Sequence, residues 1–368
     1  EMCIRDRLHS GLFVFVPPLP MKAIVITKQG SPVPPNIAFQ TDWPDVGQPG
    51  AGEVRIKTLA SAMNHMDLWV GRGVPGLRLE YPRISGCDAC GTVEAVGEGV
   101  SDDWIGRRVI VNAATRVPQP ASIDGIPGST LAPEYELIGE HHQGMHAEQF
   151  LMPADNLAPV PDDCDAFEAA AFGLTSLTAY SMMFTKGQLL PGQLVLITGI
   201  GGGVATSALA LAKHRGCPTI VTSRHQWKLD KALALGADHA ILDEGQDWSK
   251  EVRAITHKRG VDMVVDSTGK ATHLNCIKSL ARGGAYVSPG CTTGPDATTD
   301  LARLFWNQLR LLGSTMGSNE EFREVAALFS ANKVGAVVDT VFKPEDASKA
   351  WSHLEEGKQF GKLVFDWS

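Results

Sequence analysis

Residues Leu194–Arg224 read LVLITGIGGGVATSALALAKHRGCPTIVTSR: an apolar strand, a glycine-rich turn, an amphipathic helix, and a second strand ending at Ser223-Arg224. A strand returning parallel to its predecessor through a helix commits the surrounding chain to a buried parallel sheet. The turn itself points to an anion. Gly199, Gly201, Gly202 and Gly203 let the backbone bend and approach a pyrophosphate without side-chain clashes, while the following helix directs unpaired N–H groups at the same charge. Ala205 stands where a third glycine is common, and the spacing Gly199-x-x-Gly202-x-x-Ala205 departs from the strict GxGxxG form. Strand, turn and helix in that order read as the phosphate-binding half of a dinucleotide fold.

The end of the second strand bears on which dinucleotide. An acidic residue there would accept hydrogen bonds from the adenosine ribose, as NAD requires. This chain instead carries Ser223, Arg224 and, four residues on, Lys228. A hydroxyl and two cations suit a 2′-phosphate, so NADPH is the expected cofactor. The alternative is that Arg224 and Lys228 are solvated surface charges.

A chain of 368 residues exceeds one small core and implies two domains of ordinary size. A formal net charge of −8 argues against nucleic acid or an anionic membrane as partner, leaving a small-molecule substrate. Seven scattered cysteines suit free thiols in a reducing cytosol, and a cytoplasmic location is expected. Residues 1–20 hold a short apolar stretch broken by Pro17 and Pro18; they read either as a weak targeting peptide or as sequence upstream of a start at Met21.

From Met21 to about Pro161, short β-type segments separated by Gly, Pro and Asp clusters predict a small, mostly antiparallel barrel. After Ala166 the rhythm becomes strand–helix alternation, which predicts a doubly wound sheet, and the last section, with its own helices and strands, is expected to return to the first domain. The expected division is an unassigned 1–20, a catalytic domain over 21–174, a dinucleotide domain over 175–314 and the return over 315–368.

Together, SAMNHMDLWVGRGVPG (Ser61–Gly76), ISGCDACGTVEAVGEGV (Ile84–Val100), LIGEHHQGMHAEQFLMP (Leu137–Pro153), the glycine turn, ALALGADHAI (Ala232–Ile241) and FGKLVF (Phe360–Phe365) resemble the medium-chain dehydrogenase/reductase superfamily. The similarity is to its zinc-type alcohol dehydrogenase-like branch, near the quinone oxidoreductases. It implies an α/β fold pairing a mostly β, GroES-like catalytic domain with a Rossmann domain. It also implies a homodimer through the last strand of the Rossmann sheet, around Leu301–Ser314.

Zinc enzymes of this superfamily hold their catalytic metal through a Cys shortly before an Asp, a His in a Gly-His-Glu motif and a Cys or Asp beyond the barrel. Here those positions align with Asn64, Cys87 (followed by Asp88) and a position near Leu174, which leaves one good ligand where a catalytic zinc needs at least three. The four-cysteine lobe of the structural zinc has no cysteine in Asn112–Glu140. No metal is therefore expected, and Cys87 and Cys90 read as small packing residues, with an improvised metal site as the alternative.

Hydride transfer to a carbonyl or an enone places negative charge on oxygen, and without zinc the site needs hydrogen-bond donors and a proton source. Quinones and activated alkenes ease that demand by delocalising the charge. Asn64 and His65 are the candidate donors, Cys87 lines the cleft by resemblance, and Asp67 reads as a helix cap. Thr178, placed at the start of the helix entering the Rossmann domain, and Lys362 match positions beside the cofactor. Val204 belongs to the turn, and Gly269, Pro289, Gly290, Gly313 and Ser314 lie at strand ends where ligands gather in such sheets. The expected activity is a zinc-independent, NADPH-dependent reductase of quinones, enones or related carbonyls. The alternatives are an alcohol dehydrogenase with a remodelled metal site and a catalytically silent NADPH-binding protein.

Overall fold

The computed structural model describes residues 20–115, 129–132 and 135–368. The unassigned segment up to Leu19 and most of the Arg116–Glu134 loop lie outside the described residues.

Strands Glu53–Ala62, Ala89–Val96, Arg108–Val111, Gln149–Pro153 and Leu157–Pro159 form one antiparallel sheet. Alternation of apolar side chains buries Val54, Ile56, Val93, Val109 and Met152 on its inner face. Met21–Ile26 pairs with Ile37–Trp43 in a smaller sheet; the sequence reading had no strand over Ile37–Trp43, whose mixed exposure blurs the alternation. The last strand, Lys362–Asp366, pairs with Glu53–Ala62 and brings Val338–Phe342 into the first sheet.

The second sheet is parallel throughout. Its order is His239–Leu242, Thr219–Ser223, Val195–Ile197, Val261–Val265, Leu280–Ser288, Arg310–Gly313. Chain direction across it reverses between Val195–Ile197 and Val261–Val265, where a doubly wound sheet opens a crevice above its strand ends. Near-continuous burial of these strands requires cover on both faces. Buried Asp266 ties the crevice floor together: Thr198, Thr272 and Tyr286 donate side-chain hydroxyls to it, and Thr268 N adds a backbone bond.

The helix Ala166–Tyr180 joins the two sheets and packs against the helix Gly203–His214 and the strand Glu53–Ala62. Asp165 caps it, accepting from Phe167 N and Glu168 N, a device whose loss costs about 1 kcal/mol. Among the described residues no helix is long and apolar enough to cross a membrane.

Candidate active site

A cleft of about 520 Å³ runs over the strand ends of the parallel sheet to the inner edge of the antiparallel one. Of the residues read from the glycine turn, Gly199, Gly202, Gly203 and Val204 line it. Gly201 does not; its φ of 110° is one that glycine tolerates, and its carbonyl accepts from Gly361 N at 2.8 Å. A Cβ on Gly203 would meet Thr175 at 2.8 Å and Lys362 at 2.9 Å, so this cradle admits only backbone. Gly202 precedes the helix Gly203–His214, whose first turn meets the cleft. A surface of bare backbone ending in a helix N-terminus fits a dinucleotide diphosphate.

Thr222, Ser223, Arg224 and Lys228 line the adjoining end. Arg224 is exposed, whereas Lys228 is buried and donates to Gly357 O at 2.7 Å. Burial and the neighbouring Arg224 lower the Lys228 pKa from its ordinary value. Pro289 and Gly290 lie on the opposite lip. Gly269, Gly313 and Ser314, read as cofactor contacts, are not brought to the cleft; Gly269 packs under Cys291, and Ser314 is buried beneath the lining residues Thr315 and Met316.

At the other end the structure departs from the sequence reading of Asn64 and Cys87. Asn64 reaches the cleft, but its amide is committed: Nδ2 donates to Asp88 Oδ2 at 2.8 Å and to Cys87 Sγ at 3.3 Å. It is not a free donor for substrate. Cys87 is fully buried and absent from the cleft lining, and burial, with Asp67 and Asp88 nearby, pushes its thiol well above the usual range. The cation of this cluster is Lys362, whose Nζ donates to Asn64 Oδ1 at 2.6 Å and Asp88 Oδ2 at 2.8 Å while remaining 4% exposed. Leu174, at the third aligned metal position, gives its backbone N–H to Asp88 Oδ1.

These residues do not fit a zinc ion. An ammonium already pairs with the carboxylate of this cluster, the asparagine oxygen is taken, and Cys87 Sγ accepts from the Asn64 amide. Breaking a buried pair of this kind by removing one partner costs about 3–5 kcal/mol, so the arrangement is strongly self-consistent.

His65 opens the helix His65–Arg72 at the cleft, with its ring edge-on to Trp69 at 5.4 Å. Burial and Arg72 pull its imidazole below the ordinary value against an opposing Asp67. The shift disfavours the protonated ring, while the ring N–H remains able to donate a hydrogen bond into the cleft. Asp67 caps as expected, its Oδ2 accepting from Asn64 N at 2.7 Å.

Behind Asp67 lies a buried polar chain missed in the sequence. Buried His146 places Nε2 3.5 Å from Asp67 Oδ1 and bonds Ser61 Oγ through Nδ1 at 2.8 Å, and Trp367 Nε1 donates to the same hydroxyl. Burial raises the Asp67 pKa, but His146 and the donors Asn64 and Ser85 outweigh it, leaving the carboxyl below its ordinary value. Nothing in the motif around His146 distinguishes it from the half-buried pair His141 and His142 beside it.

Thr178 lines the cleft but stands in the last turn of the helix Ala166–Tyr180, not at a helix start, and its Oγ1 donates to Leu174 O. The far wall is Tyr135, Leu137 and Glu140. Tyr135 adjoins a loop with no periodicity, so no sequence signal marked it, whereas Glu140 lies in the motif read over Leu137–Pro153.

A dinucleotide cradle facing a polar cluster across an interdomain cleft defines a nicotinamide-dependent oxidoreductase. Residues 50–162 match the alcohol dehydrogenase GroES-like domain and residues 203–331 the zinc-binding dehydrogenase domain. A zinc-type alcohol dehydrogenase-like protein YogA of Leptosphaeria maculans is 31% identical over 86% of this chain and 91% of its own. A 2-haloacrylate reductase of Burkholderia sp is 29% identical over 93% of this chain and 98% of its own. A solved NAD-dependent alcohol dehydrogenase superposes with a TM-score of 0.86 at 36% identity, covering 94% of this chain and 99% of that one. The chain belongs to the medium-chain dehydrogenase/reductase superfamily, among its zinc-type alcohol dehydrogenase-like members.

Proposed function

We propose that this protein is a metal-independent, NADPH-dependent reductase of a quinone, an enone or a related carbonyl. The observation that carries the reading is Lys362 Nζ, seated between Asn64 Oδ1 and Asp88 Oδ2 where the superfamily's zinc enzymes gather metal ligands. A permanent cation there leaves no Lewis acid to bind the substrate oxygen, which favours substrates that spread the developing charge by conjugation. Arg224 and Ser223 supply the fork and the hydroxyl that suit a 2′-phosphate.

Bound NADPH would supply a hydride to the electrophilic carbon, the displaced electron pair would collect on the substrate oxygen, and a proton would complete the reduced product. The glycine turn holds the diphosphate, Thr178 and Pro289 wall the ring end, and the apolar surface of Trp69, Leu137 and Leu174 excludes water from the acceptor. Exposed Leu301, Phe305 and Trp306 beside the edge strand Arg310–Gly313 favour a homodimer that covers them.

The test is turnover by metal-analysed protein, with NADPH and separately NADH, against 1,4-benzoquinone, 2-cyclohexen-1-one, an aldehyde and an alcohol. Metal-free protein should consume NADPH with the quinone or enone. Stoichiometric zinc with activity confined to the alcohol and aldehyde would overturn the reading in favour of an alcohol dehydrogenase.

A further inference from the structure

The Asn64 amide is tied to Asp88 and Cys87, and Thr178 Oγ1 is given to Leu174 O, so these two donors of the cleft are spent. A reduction without a metal still requires a donor for the oxygen that gains charge. The far wall provides one. Tyr135 lines the cleft beside Leu137 and Glu140, and its hydroxyl oxygen is buried without a hydrogen-bond partner among the described residues. A phenol in that state is rare in a settled interior, because a buried hydroxyl normally finds a partner in protein, water or ligand.

We propose that the Tyr135 hydroxyl donates a hydrogen bond to the substrate oxygen on which negative charge collects, and so is a further catalytic residue. The inference rests on the reading of the cleft as a site for a quinone, enone or carbonyl. Three observations give it direction. The backbone holding Tyr135 is anchored, since Tyr135 N donates to Ala132 O and the neighbouring Glu136–Leu137 pairs with Ala114–Thr115. The cleft also holds Met66, Trp69, Leu137 and Leu174, and apolar surroundings strengthen a hydrogen bond made among them. Burial, together with Glu140 and Cys87, pushes the phenol pKa upward, so the hydroxyl keeps its proton and is available as a donor. The proton stays on Tyr135 during hydride transfer; the group lowers the energy of the oxyanion without being consumed. Glu140 lies on the same wall, and burial raises its carboxyl above the ordinary value, which disfavours its charged form beside the oxygen.

The test compares wild type with Tyr135→Phe and Tyr135→His in the full-length chain, using two readouts. The first is 4-nitrophenolate, an oxyanion probe whose absorbance reports binding without turnover, titrated with and without NADP+. The second is kcat/KM for 2-cyclohexen-1-one. Tyr135→Phe should weaken 4-nitrophenolate at least tenfold and lower kcat/KM by a similar factor, with the Kd for NADPH unchanged. Tyr135→His, which keeps a donor, should recover part of both losses. Values within twofold of wild type on both readouts for Tyr135→Phe would overturn the inference. If wild type reduces nothing in the panel, the functional reading fails by itself, and the 4-nitrophenolate comparison alone decides the Tyr135 contact.

Discussion

The glycine turn at one end of the cleft is a run of neighbours, Gly199 to Val204, whereas the cluster at the other end joins Asn64, Cys87 and Asp88 to a lysine 298 residues from Asn64. The turn works through backbone amides and the absence of side chains, so its chemistry depends on backbone conformation alone. The cluster works through a charge balance, one ammonium against one carboxylate, with an amide and a thiol filling the remaining directions. A site of the first kind fails when a methyl is added, and a site of the second kind fails when a charge is removed.

The sharpest way to break this contrast is Lys362→Met. It strands Asp88 in a buried pocket and should cost about 3–5 kcal/mol in urea unfolding. Adding Asp88→Asn should restore most of it, while either substitution failing to matter would show that the pair is not what holds the cluster. At the turn's end, Arg224→Ala should weaken NADPH binding by about 10- to 100-fold, the worth of a charge-assisted hydrogen bond at about 1.5–3 kcal/mol. NADH binding should change little in the same fluorescence titration, and equal effects on both would favour Arg224 as an ordinary surface charge.

Gly201→Ala tests the turn's backbone directly. The residue sits at φ 110°, and a Cβ would come within 2.8 Å of Lys228 Cδ, so a loss of about 1–3 kcal/mol is expected in thermal unfolding. The smallest effect concerns pH. Because the folded site holds the His65 pKa below its unfolded value near 6.5, the unfolded chain binds more protons as pH falls through that value. His65 should therefore make stability rise with pH up to about 6.5 and add no slope above it. His65→Gln should flatten that limb, and an unchanged pH profile of unfolding would show that burial does not govern this ring.

How far the sequence could be read follows the same division. The second strand of the turn motif, read as ending at Ser223-Arg224, is Thr219–Ser223, because a short apolar run between turns defines it. The turn was legible because its chemistry is local. The buried polar chain Trp367–Ser61–His146–Asp67 and the pair Lys362–Asp88 were not, since each needs partners from distant segments whose juxtaposition only the paired sheet supplies. Lys362 was marked as a residue near the cofactor, but its engagement with Asp88 has no signature in the motif FGK. Tyr135 escaped for another reason: it follows an irregular loop, where no periodicity indicates which side chain faces inward.

The hydrogen bond from Gly361 N to Gly201 O has a consequence for how the protein is made. Lys362, translated long after Asn64, completes a cluster begun there, and its neighbour buttresses the turn at Gly201. During synthesis the parallel sheet is complete in sequence at Gly313, yet the cleft above it stays open on one side until the strand Lys362–Asp366 emerges and pairs with Glu53–Ala62. The strands of the parallel sheet are thus all made before the chemistry of the cleft, and the arrival of Lys362–Asp366 is the event that closes the site.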